Sequence, residues 1–475
     1  MQLDQDMLGL TSTLHPVAPS EAGFDPRGLA HVDKVLRSGL DVIFPAAVLL
    51  VARHGGVAFH RAYGYLDPET RRCPTQTDSL FDLASLTKLF TVTAFMTLVE
   101  ANLVALDTPV AAVLPEFDGT RAIGPTEDPL TKALVPADPA FARQEINARQ
   151  VTFWHLPTHT SGLAAWRSLY LENDDGEEDH DVPLPHRVSV EQRARRLAAI
   201  HRLYGFAYPP GQRMVYSDLG IILLGEAVAR LTEMPLENYV HQAVLEPLNL
   251  KRTIYNPLAW NSASQHTIPL QENLASLAAP VPSARARGEG SGALRGDSAE
   301  LSPRGRGSER LYFPMQEQIA PTEFCAWRQR RCIGEVHDEN AASLGGVAGH
   351  AGLFSTAWEV AVLGQTYLNG GSYGGARILS SETVAEMTRV QVDFGDNPRG
   401  LGWLQRSQEG SSSGRRFGPR SYGHTGFTGT SLWVDPDRAL VVVLLTNRVY
   451  YGRDPTGIVD LRPRLHDAVV EAISE

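Results

Sequence analysis

The chain has 475 residues, 43% of them hydrophobic, and a formal charge of −11 at pH 7. Its apolar content suffices for a large buried core, and the negative field argues against nucleic acid as a partner because a polyanion is repelled. No segment approaches the roughly 20 apolar residues of a membrane-spanning helix, no internal repeat stands out, and Met1-Gln2-Leu3-Asp4-Gln5-Asp6 lacks the basic and apolar regions of a secretory signal, so the cytoplasm is the expected compartment.

In chain order, Pro26 to Leu40 predicts an opening helix. Ala46 to Ala52 and Val57 to Tyr63 predict a hairpin around His54-Gly55-Gly56. Ser85-Leu86-Thr87-Lys88 then heads an apolar run, Leu89 to Val99, whose lack of a polar face reads as a helix buried in a domain centre. From Ser85 to about Pro257 the chain reads as mainly helical and loop-rich. Within it, the acidic run Glu172 to Asp179 reads as a solvated loop, and Pro209 to Gly220 reads as a turn leading into a helix over Ile221 to Val228. Residues 261–310 turn to serine, alanine, glycine, proline and arginine, with too little apolar content to offset the entropy of ordering, and read as a disordered insertion. Glu335, His337, Asp338, Glu339 and Asn340 read as a solvated, hydrogen-bonded loop, with a supporting network behind the site or an ion site as the alternatives. Strands are expected at Thr430 to Val434 and Ala439 to Leu445, joined by Asp435-Pro436-Asp437-Arg438, before a closing helix near Leu461 to Ile473.

First and last segments therefore share a sheet, and the helical part is inserted between them. This predicts a single α+β domain, residues 1–475, with a sheet lobe at about 20–80 plus 345–475 and a helical lobe at about 81–344. In such a layout the site falls in the cleft between lobes.

Three segments carry candidate chemistry. Ser85 and Lys88 are three apart at a helix start, which puts both side chains on one face. A serine is a poor nucleophile at its own pKa, but a lysine that loses its proton in a dry pocket can take the serine's. The helix start adds unpaired N–H groups that favour developing negative charge. Tyr216, followed two positions later by Asp218, can carry a proton if a neighbouring cation lowers its pKa from about 10. Gly423-His424-Thr425-Gly426-Phe427 leads into a strand, and its glycines let backbone approach a ligand closely.

In this order these residues resemble the serine β-lactamase and penicillin-binding-protein superfamily, in its class C β-lactamase, DD-peptidase and esterase branch. Ser-x-x-Lys matches at Ser85 and Lys88, Tyr-x-Asn is approximated by Tyr216 and Asp218, and Lys-Thr-Gly by His424-Thr425-Gly426. Leu156 to Leu163 (Leu-Pro-Thr-His-Thr-Ser-Gly-Leu), Pro210-Gly211 to Ser217, and Gly345-Gly346 to Thr356 also look like stretches of that family. The resemblance implies a β-lactamase/transpeptidase-like fold with an antiparallel sheet flanked by helices. It implies an acyl-enzyme on Ser85, with Lys88 as general base, Tyr216 as proton carrier, and the backbone N–H groups of Ser85 and Phe427 as oxyanion hole. Asp218, His424, Thr425 and Gly426 are implied to line the substrate side rather than start the reaction.

Two departures bear on the substrate. Asp218 stands where the family has asparagine, and His424 where β-lactamases have lysine; a histidine titrating near neutral would make activity pH-sensitive. Both shift the expectation from antibiotic hydrolysis to small esters or amides. A DD-peptidase or β-lactamase acting on amides, an acyltransferase, and a non-catalytic binder of an acyl ligand are the alternatives.

No cofactor is expected. The three cysteines, Cys73, Cys325 and Cys332, lack metal-ligand spacing and suit a reducing compartment. His155 and His159 are four apart but flank Pro157 without a third ligand, so no metal site is expected. The partner class is therefore a small-molecule ester or amide, with no nucleic acid or membrane, and the oligomeric state is not readable.

Overall fold

The structure, a computed structural model, describes residues 13–172, 185–258, 318–395 and 397–474. The insertion expected at 261–310, the acidic run after Glu172 and the first six residues lie outside the described residues.

Seven strands form the main sheet: β1 (His15–Pro16), β2 (Ala46–Arg53), β3 (Gly56–Gly64), β4 (Leu404–Gln405), β5 (Tyr422–Thr425), β6 (Ser431–Asp435) and β7 (Leu440–Thr446). Their order is β1-β3-β2-β7-β6-β5-β4. All neighbours run antiparallel except the two-residue edge strand β1, which lies parallel to β3. The central pairing, Val442 opposite Val51 and Val443 opposite Leu50, joins the beginning of the chain to its end.

Side chains alternate across this sheet. Ala47, Leu49, Val51, Leu440, Val442 and Leu444 face one core, which they share with α1 (Pro26–Arg37) and the last helix. Val48, Leu50, Val441, Val443 and Leu445 face the other, larger core. Burial on both faces explains why β2 and β7 read as nearly continuous apolar runs.

The larger core holds α2 (Thr87–Glu100), α3 (Asp218–Thr232) and α4 (Ala357–Leu368), while α5 (Thr456–Glu471) packs against α1 on the far side. Helix α2 is buried around most of its circumference, from Thr87 through Leu98 apart from Thr97, as its missing polar face predicts. The closing helix starts at Thr456, five residues before the expected Leu461. Asp454 initiates it by accepting from both the N–H and the hydroxyl of Thr456. Among the described residues no helix is long and apolar enough to cross a membrane.

A small sheet beside the main one positions the start of α2. Leu353–Ser355 pairs with Phe81–Asp82 on one side and with Ile254–Tyr255 on the other. The α+β architecture thus has its sheet built from both chain ends and a largely helical part between them.

Candidate active site

Phe81–Asp82 delivers the chain into a tight 3₁₀ turn, Ala84–Leu86, directly ahead of α2. Ala84 is held at φ +47°, a left-handed conformation unusual for a residue with a Cβ. Its N–H donates to Asp82 Oδ1 at 2.8 Å, while Asp82 Oδ2 accepts the His337 N–H at 2.6 Å. Burial raises the pKa of Asp82, against the lowering effect of those two N–H groups. Thr428 and Thr430 add hydroxyl bonds to the carbonyls of Asp82 and Leu83. The turn is therefore fixed from three directions, and it places Ser85 on a cavity of about 410 Å³.

Lys88, one turn on, is 1% exposed. Its Nζ donates to Ser85 Oγ at 2.8 Å and to the His350 carbonyl at 3.1 Å, and it ion-pairs with Asp218 Oδ1 at 2.8 Å. Burial alone would favour neutral lysine, but the Asp218 carboxylate and the Tyr216 oxygen outweigh it, and the pKa of Lys88 is raised. This corrects the expectation that a dry pocket leaves Lys88 deprotonated. Asp218 is likewise more than a residue of the substrate side: it is the counter-ion of the lysine.

Tyr216 reaches the same point from the turn before α3. Its ring lies against Lys88 Nζ at 4.9 Å, against His159 at 4.5 Å between centroids, and against His424 at 5.9 Å. The hydroxyl is sealed from solvent and lacks a well-aligned partner. Burial raises its pKa, with Asp218 adding to the effect and Lys88 and Ser85 opposing it. The cation expected to lower this pKa is present, but burial prevails.

His159 explains the Leu156 to Leu163 stretch. Its Nδ1 accepts the Ser217 N–H at 3.1 Å and its carbonyl accepts the Val215 N–H at 2.9 Å, clamping the backbone on both sides of Tyr216. His155 instead accepts from the backbone and hydroxyl of Thr152. The two rings therefore serve separate backbone contacts.

His424 and Thr425 lie on β5, in register with Leu432 and Ser431. His424 is 3% exposed. Burial, then the Lys88 and Arg399 cations, push its pKa well below the usual range. The expected titration near neutral is thus removed. Because Nδ1 lies 2.8 Å from the Thr425 carbonyl, neutral His424 carries its proton there, and the buried, unpartnered Nε2 is an acceptor. Gly426 is bare for a different reason than closeness to a ligand: a Cβ there would stand 2.0 Å from Thr430 Oγ1 and 2.5 Å from the Leu83 carbonyl, so it is the protein's own packing that requires glycine. Thr425, Gly426 and Phe427 line the cavity together with Ser85, Tyr216, Asp218 and His424.

The 335–340 cluster is not a solvated loop. Glu335, His337, Glu339 and Asn340 are buried. Glu335 pairs with Arg330; His337 pairs with Glu323 and stacks on Phe427; Asp338 meets His350 at 2.8 Å; Glu339 pairs with Arg453. His337, Asp338 and Glu339 form a wall of the cavity. Asp218, Asp338 and His350 also bring ligand atoms within 4.8 Å of one another, the arrangement among the described residues that fits a metal ion. Lys88 already neutralises Asp218, and the Ala341 N–H and His350 occupy Asp338 Oδ1, so these groups are engaged without an ion.

With that geometry in view, residues 32–462 match the model of the Beta-lactamase family. The chain belongs to this family. It is a serine hydrolase of the beta-lactamase family, related over 92% of its length, at 28% identity, to 86% of a putative D-alanyl-D-alanine carboxypeptidase of Salmonella agona. Two solved structures share the fold. Simvastatin synthase LovD from Aspergillus terreus matches with a TM-score of 0.60 at 17% identity, over 93% of this chain and 98% of that one. EstCE1, described as a hydrolase with promiscuous acyltransferase activity, matches with a TM-score of 0.57 at 21% identity, over 92% and 99%.

Sequence reading missed Asp82, His350 and Arg399. Asp82 stands three residues before Ser85 and is local to it, bonding the Ala84 N–H, while His350 and Arg399 reach the site through tertiary folding. His350 follows the Gly345 to Gly349 stretch that was recognised.

Proposed function

We propose that this family member forms an acyl-enzyme on Ser85 and hydrolyses small esters or amides, esters foremost. The observation that carries the reading is the Ser85 Oγ to Lys88 Nζ contact of 2.8 Å, made inside the cavity that Tyr216 also lines. Ser85 attacks the carbonyl as Lys88, relieved of its extra proton, accepts the serine's. Tyr216 passes a proton to the leaving group and then activates water. The N–H groups of Ser85 and Phe427 hold the oxyanion, a contact commonly worth about 3 kcal/mol per donor. Asp218, with no amide to donate, stabilises the ammonium form of Lys88, which favours reactive esters over lactams.

A second reading, cleavage of a C-terminal amide, is favoured by the similarity to proteins described as putative D-alanyl-D-alanine carboxypeptidases. Cys73, Cys325 and Cys332 form no disulfide, which suits the reducing cytoplasm as the working compartment.

The test compares the protein with Ser85→Ala on a short-chain p-nitrophenyl ester and a chromogenic cephalosporin, with mass spectrometry of quenched reactions. A Ser85-dependent acyl adduct with ester turnover and little lactam hydrolysis is expected. Labelling that survives Ser85→Ala would sink the assignment, and an absence of adduct with either substrate would favour an acyl-ligand binder.

A further inference from the structure

Cys325 and Cys332 meet in a hairpin that does not line the cavity. Phe324–Cys325 and Arg330–Arg331 pair as a two-stranded sheet of their own, with Cys325 opposite Arg330. Cys332 extends the second strand: its N–H donates to the Glu323 carbonyl at 3.1 Å, and its carbonyl accepts from the Thr322 N–H at 2.9 Å. Side chains alternate along a strand, so Cys332 emerges on the face that Cys325 occupies, as its diagonal neighbour. Both residues are 1% exposed, and their thiols are hydrogen-bonded to each other.

A buried cation stands beside the pair. Arg328, from the turn of the same hairpin, donates from Nη1 to Cys332 Sγ at 3.0 Å. Glu335 is engaged by Arg330 through two bonds of 2.8 Å and stays 4.0 Å from Arg328. A guanidinium sealed from water favours an anion next to it, and a thiolate meets that need. The bond from Cys332, to which Arg328 adds, lowers the pKa of Cys325 against the effect of burial, while the same bond and burial raise that of Cys332. The pair divides into one thiolate and one thiol.

Arg328 also reaches towards Ser85. Its Nη1 donates to the Val336 carbonyl at 2.7 Å, and its Nη2 to the carbonyls of His337 and Asp338 at 3.1 and 3.2 Å. The His337 N–H is the donor that holds Asp82, and Asp82 holds the Ala84 N–H just ahead of Ser85. One guanidinium therefore joins the two thiols to the nucleophile turn.

We propose that Cys325 and Cys332 are a redox-active pair, closed to a disulfide by hydroperoxides, and that closure loosens the hold of Arg328 on residues 336–338. The hydroperoxide is the two-electron oxidant. The Cys325 sulfur attacks its terminal oxygen, the O–O bond breaks, and the alcohol or water leaves with a proton, giving a sulfenic acid. The Cys332 sulfur then attacks that sulfur. The S–S bond forms, the S–O bond breaks, and the hydroxide leaves as water with the Cys332 proton. Access comes from opening the hairpin: Phe324, Ala326 and Gln329 are exposed on it, and a two-stranded hairpin is marginal by itself, so local opening admits a small oxidant. The sulfurs of a disulfide are neutral, so closure takes the anion away from Arg328. None of this depends on the acyl-enzyme reading.

The test treats the reduced full-length protein with hydrogen peroxide, alkylates the remaining thiols, digests with trypsin and maps the cysteines by mass spectrometry. Trypsin cuts after Arg328, Arg330 and Arg331, so the Cys325 and Cys332 peptides stay joined only through an S–S bond. The joined species should form at least about tenfold faster than Cys73 is oxidised, and dithiothreitol should reverse it. Cys332→Ser should stop at a Cys325 sulfenic acid that dimedone traps, and Cys325→Ser should leave Cys332 open to alkylation, with thermal melts as a folding check. Amide exchange in peptides covering 336–338 should be about tenfold faster in the oxidised protein than in the reduced one. Thiols that all stay open to alkylation, oxidation of Cys73 ahead of the pair, or oxidised Cys325 that never joins Cys332 overturns the redox assignment. Unchanged exchange at 336–338 in the disulfide form overturns the link through Arg328. If a serine variant does not fold, the joined peptides and the exchange in the unaltered protein decide by the same criteria. Ester turnover by the reduced protein reports separately on the acyl-enzyme reading.

Discussion

Lys88 sits at 2.8 Å from both the Ser85 hydroxyl, which the proposed mechanism has it deprotonate, and the Asp218 carboxylate, which favours its protonated form. Asp218 and Tyr216 raise the lysine's pKa over the opposing effect of burial, so the neutral base becomes available only as pH rises. Asp218→Asn removes the anion and lowers the lysine's pKa. The ascending limb of the pH profile for ester turnover should then move to lower pH by about one to three units. A limb that stays in place would assign that ionisation to another group. Lys88→Met should cost at least about 100-fold in kcat/KM, the scale of a lost general base, with the Ser85 adduct forming correspondingly slowly in a quenched time course. Ser85, Lys88 and Tyr216 were legible because two short motifs carry them. The state of the groups was not. Whether His424 titrates near neutral depends on Lys88 and Arg399, which are distant in sequence, and on complete burial, which a motif does not encode.

At the scale of elements, the helices bearing Lys88 and Asp218 are held together by a glycine crossing. Gly349 passes so close to α3 that a Cβ would stand 2.1 Å from the Ile221 carbonyl, and Gly225 within α3 has room for only hydrogen at 3.0 Å from Gly349 Cα. Thr91 of α2 donates to the Gly349 carbonyl at 2.8 Å, so one residue touches both helices. Gly349→Ala should destabilise the protein by about 1–3 kcal/mol and slow acylation by displacing Asp218 from Lys88. Gly124→Ala, where a Cβ meets nothing within 4 Å, is the control and should melt within a degree or two of the unaltered protein. The long apolar strands and α2 were readable from hydrophobic pattern, since burial on every side leaves few alternatives. The start of α5 was not, because Gly457 and Pro463 interrupt the pattern and the signal for initiation is Asp454 outside it. The 335–340 run was misread for a related reason: its charges are polar in sequence yet paired in space with Arg330, Glu323, His350 and Arg453.

Over the whole molecule, buried histidines set the response to acid. Burial lowers the pKa of both His201 and His466 to about 4, and pushes His159 and His424 well below their ordinary range. The unfolded chain takes up these protons from about pH 6.5 downward while the folded one does not, so stability is complete above that pH and falls between about 6.5 and 4. His201 and His466 should each contribute a loss of up to about 3 kcal/mol by pH 4. His466→Gln should flatten the fall of Tm with acidification over this window, and an unchanged slope would remove His466 from the account. The sheet has a different consequence, for how the molecule is made. The Ala46 N–H donates to Asn447 Oδ1, 401 positions further on, and β7 lies between β2 and β6 at the centre of the sheet. During synthesis Ser85 and Lys88 leave the ribosome well before β7, the strand that joins β2 to β6. Until then β2 exposes an unpaired edge of apolar residues, the kind of surface that invites misassociation. That edge is covered, and the sheet beside the site completed, only once β7 has been made.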